Sequence, residues 1–489
     1  MPAERNLARL AEDALERHGD YESLWFEGRW HRSGELHDRA ARVASGLTGL
    51  GVGTGDRVVV FAANAPEVPL VYNAVWRAGA VVTPAIFLLP PAELRHILED
   101  SEARLVVASP EFADTARAVA DVPVVSTDDL PEDEEAPIVA RREDDLAALM
   151  YTGGTTGRAK GVMLSHASLW EVGKAAQDAG HVPGIVRSLV PLPLSHSYGL
   201  LVTVVGLHAP EPGVSVLMRW FEPTRFLELV QEHAIQISAV VPSMLQLLLA
   251  QPLEEYDLSS LRYLACGAAP LPRDAIADLE RRLPQVELRE GYGLTETSAL
   301  VSTNPPGRIR LGSVGLPVPG CELRILDDDD RELPLGEVGE ICCRSPFLME
   351  GYWGAPELTE EAMRGGWFHT GDLGRLDEDG YLYVVDRKKD LIIRGGFNVF
   401  PRDVEDALLE HPAVAFAGVV GRPDDRHGEE VVAFVALRNG SAVAPEELVA
   451  FAKERIGGYK YPREVRVVPD VPLTPVGKID RKALRELVR

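Results

Sequence analysis

The sequence predicts an α/β fold, with a large N-terminal domain of two α/β sheet layers plus a small β-barrel-like subdomain, followed by a small mobile α+β C-terminal domain. Three observations lead to this prediction. Short β-branched runs alternate with helical patterns before residue 151, the alternation restarts after residue 161, and from Gly315 onward the chain becomes rich in strands. A chain of 489 residues also exceeds one ordinary core, so at least two domains are expected.

The first sheet layer is predicted from the opening 125 residues. Apolar residues recur at helical spacing from Ala8 to His18 and from Ser33 to Leu50, and a short hairpin at Ser23–Phe26 and Trp30 lies between them. Strands are then expected at 57–61, 80–84, 105–107 and 122–125, with helices at 68–78 and 111–119. Alternation of this kind is typical of a parallel sheet.

The later parts of the chain predict a second layer, a β-rich subdomain and a separate distal domain. The second layer has strands near 187–192, 214–217, 237–241 and 261–265, and the β-rich part has strands at 322–326, 340–344 and 381–385. The distal part shows helices at 403–409 and 445–456 and strands at 414–420 and 431–437. We place the boundary near Lys389, which gives domains 1–387 and 390–489.

Composition restricts the classes of partner and compartment. The formal net charge of −25 argues against a nucleic-acid partner, because duplex binding needs a basic face. The four cysteines show no metal-ligand spacing, which fits a reducing cytoplasm. Neither a signal peptide nor an integral membrane segment is expected, since the N-terminal pattern is charged and the apolar runs, such as Leu200–Ala209, are short.

The stretch Tyr151–Gly161 has the composition of a polyphosphate-binding loop between two strands. Its glycines let backbone N–H groups approach phosphate oxygens, its threonines add hydroxyl donors, and Arg158 and Lys160 add positive charge. It is not a Walker loop, because a glycine and not a serine or threonine follows the lysine. An exposed flexible loop is the alternative interpretation.

Four further stretches carry side chains suited to nucleotide chemistry. Gly291–Thr297 offers an aromatic ring and Glu296, a hard oxygen ligand for Mg²⁺, and Cys266–Pro270 offers small residues after a strand; either can also be a simple turn. Asp372 suits vicinal ribose hydroxyls, although an aspartate after glycine is usually a turn residue. His196 follows a strand where sheet ligands gather, and a histidine that caps a helix is its alternative.

Near the C-terminus, Lys478 lies on a loop between Pro475 and a charged helix. Together and in this order, these stretches resemble the adenylate-forming superfamily of acyl-CoA synthetases, luciferases and adenylation domains. The similarity runs from about residue 30 to the C-terminus. It implies ATP-dependent activation of a small carboxylic acid to acyl-AMP with pyrophosphate release, then transfer to a thiol, expected to be CoA.

The resemblance also implies a role for individual residues. Lys478 bridges carboxylate and α-phosphate, Thr295 contacts the α-phosphate, Glu296 holds Mg²⁺, and His196 lies between the nucleotide and acyl pockets. The residues expected to bind ATP are Thr152, Gly153, Gly154, Thr155, Thr156, Gly157, Lys160, Gly267, Ala268, Ala269, Pro270, Tyr292, Asp372 and Arg387. The hinge is expected at Lys389, the acyl pocket at His196, Val240, Gly291 and Gly293, and the acceptor side at Gly395 and Gly396.

Three questions stay open from the sequence. The acceptor can be CoA, an amine or a carrier-protein phosphopantetheine, and a homodimer is left open. Glu290 stands where an arginine would precede Gly-Tyr-Gly, which disfavours a dicarboxylate such as malonate. Gly153 and Ala159 replace the serine and proline of the common loop pattern, and a non-catalytic nucleotide-binding protein is the remaining alternative.

Overall fold

The computed structural model describes residues 5–152, 159–269, 271–438, 440–474 and 479–488. Backbone contacts divide the chain into two compact units. The first unit comprises Met1–Ala268, Asp278–Glu322 and Cys343–Phe368, and the second comprises Ala269–Ala277, Leu323–Cys342 and His369–Arg489. The domain limits 1–387 and 390–489 stay a prediction.

The helices, in chain order, are α1 (Leu7–His18), α2 (Ser33–Gly49), α3 (Glu67–Arg77), α4 (Pro91–Asp100), α5 (Pro110–Arg117), α6 (His166–Gly180), α7 (Ser197–Leu207), α8 (Pro223–His233), α9 (Pro242–Leu249), α10 (Arg273–Arg282), α11 (Pro356–Ala362), α12 (Pro401–Leu409), α13 (Pro445–Arg455) and α14 (Arg481–Glu486). Proline occupies the first turn of many of them, where its missing N–H costs no helical hydrogen bond.

The strands of the first half are β1 (Glu22–Phe26), β2 (Arg29–Arg32), β3 (Arg57–Phe61), β4 (Val81–Ala85), β5 (Ala103–Ala108), β6 (Val124–Ser126), β7 (Leu146–Thr152), β8 (Lys160–Ser165), β9 (Arg187–Val190), β10 (Val214–Leu217), β11 (Ile237–Val240), β12 (Tyr263–Cys266) and β13 (Glu287–Tyr292). Those nearer the C-terminus are β14 (Ser302–Thr303), β15 (Leu316–Pro317), β16 (Glu322–Leu326), β17 (Gly339–Arg344), β18 (Gly351–Tyr352), β19 (Phe368–Leu376), β20 (Leu382–Arg387), β21 (Ile392–Arg394), β22 (Phe397–Val399), β23 (Val414–Asp424), β24 (Gly428–Leu437) and β25 (Glu464–Val468).

Two large sheets form the first unit, as the sequence predicts. Within the described residues, one sheet has the order β18-β8-β7-β4-β3-β5-β6, with parallel pairing among β3 to β7 and antiparallel pairing of β8 with both β7 and β18. The other has the order β15-β14-β13-β12-β11-β9-β10-β1-β2, and its strands β9 to β13 are parallel. Many of these strands consist largely of buried Val, Ile and Leu residues, and such apolar runs predict buried parallel strands from sequence.

The second unit contains the β-rich part and the distal α+β part. Strands β16-β17-β19-β20 form one sheet, and β22-β21-β24-β23 with β25 form another, counted over the described residues. The distal core packs Val404 and Leu408 of α12 and Leu448 of α13 on the buried side chains of β23 and β24. In the described part of the chain, no helix combines the length and apolar composition that crossing a membrane requires.

Helix α7 begins in close contact with the chain that precedes it. A Cβ built at Gly199 would lie 2.1 Å from the Pro193 carbonyl oxygen and 2.7 Å from Leu194 Cα, whereas a Cβ at Gly206 of the same helix meets nothing within 4 Å. Backbone atoms cannot yield as a flexible side chain can. Only glycine therefore fits at the start of this helix.

Gly199→Ala is expected to lower the free energy of unfolding by about 1–3 kcal/mol because the added methyl overlaps backbone. Gly206→Ala is the matched control and is expected to raise it by up to about 1 kcal/mol, since alanine favours the helix. Thermal and urea unfolding monitored by far-UV circular dichroism would compare the two variants. Equal midpoints for both would contradict the packing observed at Gly199.

Candidate active site

The predicted phosphate loop is held at both ends by helix α4, which the sequence analysis did not assign. Strands β7 and β8 pair Thr152 with Lys160 at the base of the loop. The Tyr151 hydroxyl donates to Asp100 Oδ2 at 2.6 Å, and His96 Nε2 donates to the Ala159 carbonyl at 2.9 Å. Gly153, Gly154, Thr155, Thr156 and Gly157 lie outside the described residues.

Glu296, the predicted cation ligand, is connected to Lys160 through a tyrosine. The Tyr352 hydroxyl donates to Glu296 Oε1 at 2.9 Å, and the Lys160 ammonium lies 5.3 Å from the centre of the Tyr352 ring. Strand β18 places this tyrosine by pairing with β8, where Tyr352 lies opposite Val162. Burial, followed by the charge of Glu296, raises the pKa of Tyr352, so the hydroxyl keeps its proton and remains a donor.

The turn that presents Glu296 is tightly organised. Leu294 N–H donates to Thr297 Oγ1 at 2.9 Å, and that hydroxyl donates back to the Leu294 carbonyl. Ser298 and Ala299 follow with φ of 51° and 77°, a left-handed conformation that costs free energy for residues other than glycine. The buried Ser298 hydroxyl offsets part of this cost by donating to the Phe347 carbonyl at 2.8 Å.

Thr295 contacts the first residue of α7, which directly follows His196. Thr295 Oγ1 lies 3.3 Å from Ser197 Oγ, and His196 caps the helix because its Nδ1 accepts the Tyr198 N–H at 3.2 Å. Buried Asn64 fixes the preceding segment by donating to the Leu192 carbonyl and accepting from Leu194 N–H, each at 2.8 Å. The histidine is thus a capping residue, and its role between two pockets stays a prediction.

Two glycines near neighbouring strand ends allow close packing of backbone on backbone. A Cβ at Gly267, just after β12, would lie 3.0 Å from the Gly291 carbonyl of β13, and one at Gly293 would lie 2.3 Å from the Ala299 carbonyl. Ala268 has φ of 72°, a further strained position. Three more of the predicted ATP-binding residues lie near these glycines in the sequence. Tyr292 is the last residue of β13, and Ala269 belongs to the second unit. Pro270 lies outside the described residues.

Val240, predicted for the acyl pocket, is fully buried at the end of β11. It pairs with Cys266 of β12, and burial raises the pKa of that thiol. Tyr198 lies nearer the glycines: its ring carbon is 4.0 Å from the Cβ position of Gly267, and its hydroxyl donates to the Ala265 carbonyl at 3.4 Å. Tyr198 is therefore a stronger structural candidate than Val240 for the pocket wall.

In the second unit, Asp372 and Arg387 are brought together as predicted. They lie opposite each other on β19 and β20, and Arg387 Nε is 3.3 Å from Asp372 Oδ1. Asp372 is buried, and its N–H donates to Thr370 Oγ1 at 3.1 Å. Lys389 follows in a short 3-10 turn, where burial, followed by the charge of Arg387, lowers the pKa of its ammonium.

The predicted acceptor-side glycines form a two-residue hairpin turn between β21 and β22. Gly395 and Gly396 have φ of 58° and 82°, the pair of positive values that a tight hairpin turn requires. Exposed Phe397 follows, with its ring 5.0 Å from that of Tyr459. The turn thus presents backbone and aromatic surface to solvent.

Lys478 lies outside the described residues, but the helix that follows it is well anchored within the second unit. Arg481 of α14 donates two hydrogen bonds to the buried Glu405 carboxylate, at 2.7 and 2.8 Å. Arg485 of the same helix donates to Asp390 at 2.5 Å, directly beside Lys389. Charged contacts therefore join the predicted hinge segment to the helix next to the predicted catalytic lysine.

Sequence reasoning missed the residues that position the site, namely Tyr352, His96, Asp100, Asn64 and Tyr198. Of these, Tyr352 had a local signal, because Gly351-Tyr352-Trp353-Gly354 is an aromatic pair between glycines. The side chains of His96 and Asp100 lie one turn apart on one face of α4, a spacing that a helix assignment would have exposed.

Tyr352→Phe is expected to raise the Mg²⁺ concentration needed for half-maximal pyrophosphate release about fivefold. The reason is that one hydrogen bond of about 1 kcal/mol to Glu296 is lost. Titration of activity with Mg²⁺ at saturating ATP measures this change. Tyr151→Phe is the matched control, since it removes a similar tyrosine–carboxylate bond that does not involve Glu296. An unchanged Mg²⁺ curve for Tyr352→Phe would show that this hydroxyl does not position the carboxylate.

Comparison with known proteins covers nearly the whole chain. A family model described as AMP-binding enzyme matches residues 11–353, and one described as AMP-binding enzyme C-terminal domain matches residues 403–478. A feruloyl-CoA synthase of Amycolatopsis is 39% identical over 461 residues, covering 92% of both chains. A long-chain-fatty-acid–CoA ligase of Escherichia coli is 34% identical over 538 residues, covering 99% of this chain and 95% of that protein.

A solved structure shows the same fold. The amide bond synthetase McbA from Marinactinospora thermotolerans superposes with a TM-score of 0.89 at 31% identity, over 98% of this chain and 99% of that one. These similarities extend over both units of the chain and include proteins with two different kinds of acyl acceptor.

Proposed function

Because the chain belongs to the AMP-binding enzyme family, we propose that Glu296, Tyr352 and Lys160 form the centre that binds ATP with Mg²⁺ for attack by a carboxylate. The protein is an AMP-forming acid–thiol ligase: it activates a carboxylic acid with ATP to acyl-AMP, releases pyrophosphate, and transfers the acyl group to CoA. ATP, Mg²⁺ and CoA are the proposed cofactors. Glu296 would bind Mg²⁺, and Lys160 would contact the phosphates of ATP.

The observation that carries the proposal is the contact of Tyr352 with both Glu296 and Lys160. It connects the strand leaving the phosphate loop to the carboxylate after β13, within one unit of the structure. Oε1 of Glu296 accepts the hydrogen bond from the Tyr352 hydroxyl, while Oε2 accepts no hydrogen bond from the described residues. A partly exposed carboxylate oxygen of this kind fits Mg²⁺, which would supply charge neutralisation between the phosphates.

The adenylation step needs two anions brought together and the spreading negative charge stabilised. The acid carboxylate attacks the α-phosphorus, an O–P bond forms, and the bond to pyrophosphate breaks. We assign Thr295 as a hydroxyl donor to the α-phosphate, for which its hydrogen would turn from Ser197 Oγ, 3.3 Å away, to a phosphate oxygen. Lys160 would lie beside the departing pyrophosphate, and Lys478 between the carboxylate and the α-phosphate.

The second unit would contribute the ribose site and the conformational change. Asp372, oriented by Arg387 and Thr370, presents a buried carboxylate edge suited to two ribose hydroxyls. Rotation about Lys389 would then exchange Lys478 for the Gly395–Gly396 turn before the thiol attacks. Positive φ at both glycines leaves this turn without side chains, which suits the approach of a narrow thiol-bearing arm.

We propose an aromatic carboxylic acid of the feruloyl type as the substrate. The relative at 39% identity over 92% of both chains is a feruloyl-CoA synthase. The half-buried Tyr198 ring, which lies beside Gly267, would add an aromatic wall to such a pocket. A long-chain fatty acid is the second candidate, because the ligase from Escherichia coli matches 99% of the chain.

A panel of acids tests the function and the substrate class together. Pyrophosphate release is measured with ferulate, benzoate, octanoate and palmitate, each with CoA, with an amine, and with neither. Release with ferulate that yields the CoA thioester is expected. Release with palmitate alone would overturn the aromatic assignment, an amide without thioester would identify an amide bond synthetase such as the structural neighbour, and no release with any acid would contradict the enzyme assignment.

The remaining assignments concern compartment and partners. We propose a cytoplasmic enzyme, which the four cysteines without disulfides support. The net charge of −25 supports small-molecule partners over nucleic acid. A homodimer stays open, and gel filtration with light scattering would determine the oligomeric state.

A further inference from the structure

Three different metal-ligating side chains meet in the second unit, away from Glu296 in the sequence and without a part in the proposed adenylation centre. Glu340 and Cys342 project from the same face of β17, being two residues apart, and His369 lies on the adjacent strand β19. All three are buried, and their ligand atoms lie within 4.8 Å of one another. We propose that Glu340, Cys342 and His369 form a binding site for Zn²⁺ or a similar soft divalent cation.

The distances fit a zinc ion. Cys342 Sγ and His369 Nδ1 are 3.3 Å apart, and His369 Nδ1 and Glu340 Oε2 are also 3.3 Å apart. Tetrahedral coordination with ordinary zinc bond lengths places such ligand pairs about 3.4–3.6 Å apart, so only small shifts are needed. A thiolate, a carboxylate and a neutral imidazole around Zn²⁺ sum to zero charge, which suits a buried position.

Groups around the cluster support this assignment. Asp330 Oδ1 lies 3.8 Å from His369 Nε2, the ring nitrogen that would not bind the metal. Once a cation occupies Nδ1, the Nε2–H would need only a small shift to donate to this carboxylate, an arrangement that is usual for metal-binding histidines. The Gly371 N–H donates to Glu340 Oε1 at 3.1 Å, which fixes the carboxylate and leaves Oε2 facing the histidine. The fourth position would be taken by water.

Lys388 is the competitor for this site. Its ammonium lies 3.1 Å from Glu340 Oε2 and 2.7 Å from Asp328 Oδ1, and its side chain is 39% exposed. Because Asp328 is at the surface, the lysine can keep that partner while it releases Glu340 to the cation. Binding therefore exchanges the lysine for the metal at Oε2 and releases the Cys342 thiol proton to solvent.

Titration of the chelator-treated, full-length protein with Co²⁺ and then Zn²⁺, without ATP or acid, tests the site. We expect one equivalent of Co²⁺ with a thiolate-to-cobalt charge-transfer band that Zn²⁺ abolishes. Cys342→Ala should remove the band, whereas Cys343→Ala, an equally buried neighbour on the same strand, should keep it. Lys388→Met should tighten binding by about tenfold, because the competing ammonium is gone.

The outcomes separate this site from the proposed function, which predicts hard oxygen ligands at Glu296 and no thiolate band. No band in the wild-type protein, or a band that persists in Cys342→Ala, would overturn the proposal. So would weaker binding in Lys388→Met. Melting curves establish that each variant is folded, and His369→Gln provides a second ligand variant should Cys342→Ala unfold.

Discussion

Lys478→Ala is expected to slow pyrophosphate release about 100- to 1000-fold, while thioester formation from supplied acyl-AMP continues at nearly the wild-type rate. The reason is electrostatic. The lysine is proposed to bridge the carboxylate and the α-phosphate, where negative charge accumulates only during adenylation. Once acyl-AMP exists, the thiol attacks a carbonyl, and rotation about Lys389 would have carried the lysine away.

Two assays are needed for this prediction, one for each half-reaction. Pyrophosphate release with acid and ATP reports adenylation, and CoA consumption with synthetic acyl-AMP reports thioester formation. Lys482→Ala, an exposed lysine on α14, is the matched control and should leave both rates unchanged. Equal losses in both halves for Lys478→Ala would contradict the rotating-domain account.

Glu296→Gln is expected to reduce adenylation by a similar factor, about 100- to 1000-fold, with a higher Mg²⁺ requirement. Glutamine keeps an oxygen that can accept the Tyr352 hydroxyl and removes only the negative charge, so the turn after β13 should stay intact. The loss would therefore report the missing carboxylate as a cation ligand, with unfolding of the turn excluded by the melting curve.

The control for this substitution is Glu350→Gln, an exposed carboxylate close in sequence to Tyr352. It removes the same charge from the same unit without touching the proposed centre. Pyrophosphate release measured over a range of Mg²⁺ and ATP concentrations separates turnover from binding. Wild-type turnover of Glu296→Gln at saturating Mg²⁺ would rule out Glu296 as the functional ligand.

The fold was predictable where strands are buried on both faces. Arg57–Phe61 contains three consecutive valines and Val214–Leu217 contains two valines, and the structure confirms both strands at the expected residues. Helix α4 was not predicted. It begins at the second residue of the pair Pro90-Pro91, which is typical of a loop, although proline is well tolerated at the start of a helix. For Gly291–Thr297 a simple turn was the alternative to a nucleotide site, and the structure places Gly291 and Tyr292 at the end of β13.

The residue types of the site could be predicted, but their supports could not. The motifs predict Glu296 and Lys160 as site residues, whereas Tyr352 connects them only because β18 pairs with β8 across nearly 200 residues of sequence. No local pattern specifies such a pairing. Val240 lies in the strand that the sequence predicts at 237–241, and its place in the acyl pocket stays a prediction.

The charged contacts of α14 also bear on how the distal α+β part, residues 390–489, would move. Asp390 follows the proposed hinge residue Lys389 and is bonded to Arg485, while Arg481 is bonded to Glu405 of α12. Because these two contacts join α14 to both Asp390 and α12, we expect the segment that begins at Asp390 to move as one body if the chain turns at Lys389. A modest change in the backbone angles of Lys389 would thus move Lys478 by a large distance, because Lys478 lies far along the chain from the point of rotation. Such a movement would make room for an incoming thiol.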